Sequence, residues 1–192
     1  MKVFFIDNLC FANSLMEEFE KRDCEVISYR NNVDMKLIES AIKKFKPKLI
    51  VISSGPEGAK DAGNSVDIIR NYYGDIPIFG VGAGHQCIIE AFEGMVNRSP
   101  MINHGKITRI KHDGKTIFKK IDNPFSAGTY NSLSASDVPY SLEVSARSEN
   151  DVVMGIRHNE CFVECIQFHP ESILTASGSL IIENVIKEAG KK

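Results

Sequence analysis

Strand-like and helix-like segments alternate through the first half of this chain, and that alternation constrains the fold more than any other feature. Lys2–Asp7 is a short β-branched and aromatic run, and Phe11, Leu15 and Phe19 then recur at helical spacing. Glu25–Tyr29 reads as a second strand. Leu37, Ile38, Ala41, Ile42 and Phe45 make a helical stripe that stops before Pro47. Leu49–Ile52 is a third strand, closing in Ser53-Ser54-Gly55-Pro56. Val66–Tyr73 is helix-like, Ile76–Val81 is a fourth strand, and Gln86–Phe92 continues as a helix to Gly94. Near-continuous apolar strands joined through helices predict a parallel sheet covered on both faces.

The second half changes character. Lys106–Ile110 and Lys115–Phe118 flank His112-Asp113-Gly114, a hairpin signal. Tyr140–Ala146, Val152–Arg157 and Phe162–Phe168 follow as strands, and a last helix runs near Ser179–Glu188. The expected fold class is therefore α/β: an open, mostly parallel sheet with helices on both faces, extended by antiparallel strands. No repeat or linker interrupts it, so residues 1–192 are expected to form one domain.

Composition narrows the function. With 23 basic and 25 acidic residues the formal net charge is -2, which argues against a polyanion as main ligand, so no nucleic-acid partner is expected. No apolar window reaches the roughly 18 residues needed to cross a bilayer, and MKVFFID meets Asp7 too early for a secretory signal. The five cysteines, Cys10, Cys24, Cys87, Cys161 and Cys165, match no zinc or redox spacing. They read as small core residues of a cytoplasmic, reducing-compartment protein that needs no metal and no cofactor.

In open α/β sheets ligands sit beyond the carboxyl ends of strands. The most informative of these ends is Gly80-Val81-Gly82-Ala83-Gly84-His85-Gln86, a strand, a glycine-rich turn and a helix start. Small residues on both sides of such an elbow permit a strained backbone, and the helix N-terminus offers N–H groups to an anion. The pattern is not the dinucleotide fingerprint, because His85 stands where its last glycine belongs. Taken alone, the segment is a tight strand-to-helix connection. The second end is Phe168-His169-Pro170-Glu171. Pro170 holds His169 extended, so His169 and Glu171 share a face, and the carboxylate can fix one imidazole tautomer. Taken alone, the pattern reads more readily as a surface His-Glu pair at a strand end, since such pairs are common. Among the other histidines, His112 reads as a turn residue, His158 as solvated, and His85 as a brace for the elbow. The run Lys43, Lys44, Lys46 and Lys48 reads as a solvated helix end.

Together, Gly80–Gln86, Ser53-Ser54-Gly55-Pro56, His104-Gly105-Lys106 and Phe168-His169-Pro170-Glu171-Ser172 resemble the class I (triad) glutamine amidotransferases over essentially the whole chain. The closest likeness is to the amidotransferase component of anthranilate synthase or its aminodeoxychorismate relative; HGK and the Thr175–Gly178 continuation favour the anthranilate branch over the GMP synthase branch, with aminodeoxychorismate and GMP synthase subunits as the alternatives. The resemblance implies a subunit that hydrolyses glutamine and passes ammonia to a chorismate-using synthase on a separate chain. It implies His169 as base and proton donor, Glu171 as its orienter, and the N–H groups of Gly55 and Ala83 as an oxyanion hole. Gln86 and the backbone at Ser132 and Leu133 would hold glutamine, and His104, Gly105 and Lys106 would face the partner.

One departure is large. The family's nucleophilic Cys is Gly82 here, which carries no side chain, so no thioester can form and the chain as written is expected to be inactive by that route. Cys87 lies past the turn, inside the helix, too far along to substitute. Ser54 and Glu57 replace Pro and Gly of the family's SPGPG, Asn131 replaces a His, and the Asp7-Asn8 segment is short. A changed version of an active enzyme, a natural loss, and a non-catalytic regulatory or structural partner of the synthase all fit Gly82.

Overall fold

The computed structural model describes residues 1–55 and 58–191, so Pro56 and Glu57 of the turn after the third strand, and Lys192, lie outside the described residues. In chain order the elements are β1 (Lys2–Asp7), α1 (Ala12–Glu20), β2 (Glu25–Arg30), α2 (Met35–Phe45), β3 (Leu49–Ile52), α3 (Ser65–Tyr72), β4 (Ile78–Val81) and α4 (Ala83–Ala91). They are followed by β5 (Met95–His112), β6 (Phe125–Asp137), β7 (Leu142–Ser148), β8 (Val153–His158), β9 (Val163–Ile166) and α5 (Gly178–Ala189). The nine strands form one sheet in the order β2-β1-β3-β4-β9-β8-β7-β5-β6. β2, β1, β3, β4 and β9 pair in parallel. β9, β8, β7, β5 and β6 pair antiparallel. This is the α/β sheet, parallel then antiparallel, that the sequence pattern predicts.

The apolar strands are continuous because each face of the sheet needs its own core. On β1, Val3 and Phe5 pack with Leu15 and Phe19 of α1 and Ile181 and Val185 of α5. Phe4 and Ile6 point the other way, to Ile38 and Ile42 of α2, Ile68 and Ile69 of α3, and Ile88 of α4. β3 splits likewise, with Leu49 and Val51 on one side and Ile50 and Ile52 on the other. Fully buried side chains of this size each contribute roughly 1.5–3 kcal/mol by leaving water. Lys43, Lys44, Lys46 and Lys48 are exposed, as their run implied.

The antiparallel half departs from expectation in two places. The hairpin expected across His112-Asp113-Gly114 does not form. β5 runs on to His112 and pairs with β6, which the sequence pattern did not reveal. Thr116–Phe118 is a single 3-10 turn with both Ile117 and Phe118 fully buried, an outcome that strand alternation forbids. Three contacts pull the segment inward: Asp113 bonds Arg157 of β8 at 2.8 Å, the His112 ring stacks on Phe118 at 4.8 Å, and Asn123 Nδ2 donates to the His112 carbonyl at 2.6 Å. His158, expected in solvent, is buried. Its ring packs against Phe92 and Tyr73, and its Nδ1 accepts from the N–H groups of Glu160 and Cys161. No helix among the described residues is long and apolar enough to cross a membrane.

Candidate active site

Because β1, β3, β4 and β9 are neighbouring parallel strands, their carboxyl ends lie along one edge of the sheet, where ligands of such folds bind. Each end carries a segment singled out in the sequence. After β4 the chain turns at Gly82, with φ 60° and ψ −111°, directly into α4. A residue bearing a Cβ is strained in that conformation; glycine is not. The Gly82 N–H donates to the Ile166 carbonyl of β9 at 2.9 Å, tying the elbow to its neighbour strand. The N–H groups of Ala83 and Gly84, at the start of α4, stand outside the helix's own hydrogen-bond ladder. Gly55, at the end of β3, is adjacent: a Cβ built on it would be 3.6 Å from that of Ala83. The two N–H groups expected to form an oxyanion hole thus lie on neighbouring backbone.

The β9 end supplies the His-Glu pair. His169 and Glu171 are both buried, and His169 Nδ1 lies 2.6 Å from Glu171 Oε1. The shared face predicted from Pro170 is realised. His169 is clamped from behind: its N–H donates to the Gly128 carbonyl at 3.1 Å, and its own carbonyl accepts from Thr175 Oγ1 at 2.7 Å. Phe11 and Tyr130 set their rings edge-on to the imidazole at 5.2 and 5.1 Å. The other ring nitrogen, Nε2, is buried without a hydrogen-bond partner among the described residues. It points toward the elbow, 3.3 Å from the position a Cβ on Gly82 would take.

Beside the elbow lies a cavity of about 270 Å³ lined by Ser54, Gly55, Gly58, Ala83, Gln86, His104, Tyr130, Asn131, Ser132, Leu133 and Gln167, a set that does not include Gly82, His169 or Glu171. It gathers Gln86, Ser132 and Leu133, the residues expected to hold glutamine. Gln86 Oε1 and Asn131 Oδ1 are buried there without partners. His104 sits at its rim, with Nε2 3.0 Å from Ser132 Oγ, while Gly105 and Lys106 continue outward into solvent. A larger hollow of about 690 Å³, beside Lys36, Lys43 and Lys46 of the α2 region, lies away from all four strand ends.

No cysteine occupies the thiol position. Cys87 is fully buried in the apolar core behind the elbow, where burial pushes its thiol far up. Cys10 is half-buried, and burial and the charge of Glu171 both raise its pKa. His85 is fully buried and bonds to the elbow through neither ring nitrogen, so it is not the hydrogen-bonding brace expected. Burial lowers its pKa to about 3, and it packs as a neutral ring. Sequence reasoning noted Ser54 and Asn131 only as departures from a pattern, gave Phe11 to the helical stripe of Leu15 and Phe19 although it is the exposed left-handed N-cap of α1, and passed over Tyr130 and Gln167.

A strained strand-to-helix elbow thus faces a buried His-Glu pair at the carboxyl edge of a parallel sheet. The chain belongs to the class-I glutamine amidotransferase family, whose model matches residues 4–189. It is 51% identical over 149 residues to anthranilate synthase component 2 of Methanocaldococcus jannaschii, covering 77% of this chain and 75% of that one. It is 38% identical over 187 residues to aminodeoxychorismate synthase component 2 of Escherichia coli, covering 96% and 98%. In fold it is similar to a glutamine amidotransferase of Thermotoga maritima, with a TM-score of 0.81 at 12% identity, over 100% of this chain and 99% of that one. A Thermoplasma acidophilum protein described as part of a GMP synthase shares the fold with a TM-score of 0.86 at 19% identity, over 100% and 94%.

Proposed function

We propose that this chain is the glutamine-binding subunit of a chorismate-using synthase and delivers ammonia to a partner chain without the thioester chemistry of its family. The His169–Glu171 pair, held at 2.6 Å with Nε2 turned toward the elbow, carries this reading. Glutamine fits the cavity beside it, where Gln86 Oε1 and Asn131 Oδ1 await donors such as an amide or ammonium group. The N–H groups of Gly55 and Ala83 would stabilise the oxyanion, and His169 would shuttle the proton with Glu171 fixing its tautomer. His104, Gly105 and Lys106 would meet the partner at the cavity mouth. Gly82 removes the thiol and with it the thioester.

A second reading is a regulatory or structural subunit whose partner takes free ammonia. The space for a side chain on Gly82 is already filled by Ser54, and that observation favours it. Co-purification with the synthase chain, followed by chorismate consumption with ammonium or with glutamine as nitrogen source, tests both. Stable association and ammonium-supported synthesis are expected, and a thiol-alkylating glutamine analogue should change nothing. Failure to associate with any chorismate-using chain refutes both readings.

A further inference from the structure

The place of the missing thiol is already filled. A Cβ built on Gly82 would overlap Ser54 Oγ, and would lie 2.9 Å from Ser54 Cβ and 3.3 Å from His169 Nε2. The Ser54 hydroxyl therefore stands where the family's nucleophile would begin, beside the point that the buried, unpartnered Nε2 approaches, and Ser54 also lines the cavity. Ser54 is itself buried, and its Oγ is not hydrogen-bonded to Nε2 in the resting chain, so the proton transfer needs a short approach of the two side chains. Nδ1 lies 2.6 Å from the Glu171 carboxylate, and a neutral ring that donates Nδ1–H there carries its lone pair on Nε2. The N–H groups of Ala83 and Gly84 open α4 on the same side, and the helix N-terminus favours negative charge there.

We propose that Ser54 supplies the nucleophile that Gly82 lacks, making Ser54–His169–Glu171 a hydrolytic triad for carboxamides. Ser54 Oγ passes its proton to Nε2 as the Oγ–Cδ bond to the carboxamide forms, and the oxyanion is held by the elbow N–H groups. Collapse breaks the Cδ–N bond, the nitrogen takes the proton from Nε2, and ammonia leaves a γ-glutamyl ester on Ser54. Water gives a proton to Nε2 and adds to the ester. The Cδ–Oγ bond then breaks, and Oγ recovers the proton. One glutamine and one water yield one glutamate and one ammonia. The substrate rests on the glutamine reading above; the nucleophile rests on the geometry alone.

A fluorophosphonate probe, which marks hydroxyls activated by an adjacent base, separates the two. Peptide mass spectrometry should locate the adduct on Ser54 of the intact chain, and labelling should slow about 100-fold in His169→Ala. Glu171→Gln keeps the shape of the pair and should also slow it, which covers the case in which His169→Ala fails to fold. No adduct on Ser54, or an adduct formed equally fast in these variants, overturns the proposal. Glutamine hydrolysis undiminished in Ser54→Ala also overturns it while leaving glutamine as substrate. A His169-dependent adduct without glutamine turnover upholds the nucleophile and removes the glutamine reading.

Discussion

The two sides of the site differ in what they carry. The wall after β9 is complete: His169 bonds Glu171, its backbone is clamped by Gly128 and Thr175, and two aromatic rings flank it. The wall after β3 and β4 keeps its backbone but not its side chain. Gly82 still holds the elbow at φ 60°, the helix still starts at Ala83, and a serine from the neighbouring loop stands where a thiol is expected. The contrast shows that the elbow geometry is set by the sheet edge and the helix start, without a side chain at its apex.

The walls also differ in the buried group each carries, and acid–base titration should separate them most strongly. His85, in α4, is pushed down to about 3 by burial, so its contribution to stability is complete above pH 6.5 and is lost as the pH falls. Glu164, in β9, is pushed up to about 7, chiefly by burial and against the opposing pull of Arg157. Its contribution is complete below pH 4.5 and is lost as the pH rises through about 7. Each slope is worth about 3 kcal/mol over two to three pH units. Thermal melts across pH 4–8 should therefore show the acid-side slope flattened in His85→Asn and the alkaline-side slope flattened in Glu164→Gln. Parallel curves for both variants and the parent would refute the distinction.

Next in size is Gly84→Ala. A Cβ there would overlap the carbonyl oxygen of Ile52, a backbone atom in the centre of the sheet that cannot step aside. We expect a loss of about 2–3 kcal/mol in denaturant unfolding. A neutral result would mean that α4 is free to slide, and that the β4 wall is not held rigid by packing.

Gly82→Cys should cost about 2 kcal/mol, from strain at positive φ and from collision with Ser54. It should restore little thiol-dependent glutaminase. The double change Gly82→Cys with Ser54→Gly relieves the collision and should recover both stability and reaction with a thiol-alkylating glutamine analogue. If the single change recovers full thiol activity, Ser54 does not block the nucleophile's place.

The parallel half was legible because its strands are short, apolar and separated by helical stripes, so period and length agree in β1, α2 and β3. The antiparallel half was less so. β6 reads FSAGTYNSLSASD, small and polar, with no alternation to mark it, and its pairing with β5 is set by residues far along the chain. His-Asp-Gly looks like a turn, yet Arg157 captures Asp113 and draws Ile117 and Phe118 into the core. At the site, His169 and Glu171 were readable because Pro170 fixes their local geometry. Ser54 was visible only as a departure, since its meaning depends on contact with Gly82 across two strands.

The smallest predicted effect bears on how the intact wall stays intact. Thr175 Oγ1 accepts from the Gly128 N–H at 2.9 Å and donates to the His169 carbonyl at 2.7 Å, linking β6, the segment after His169 and the histidine itself. Thr175→Val keeps the shape and the β-branch but leaves a buried N–H without its acceptor, which costs about 1–2 kcal/mol. If that clamp aims the imidazole, any His169-dependent reaction should slow more than the modest loss of stability explains, because a base displaced by about an ångström loses its line to the nucleophile. The same variant should leave the elbow untouched, so the rate of Cys alkylation in the Gly82→Cys, Ser54→Gly background should fall only through the base. A Thr175→Val protein that melts lower but reacts at the parental rate would show that the β9 wall is aimed by Glu171 and its flanking rings alone.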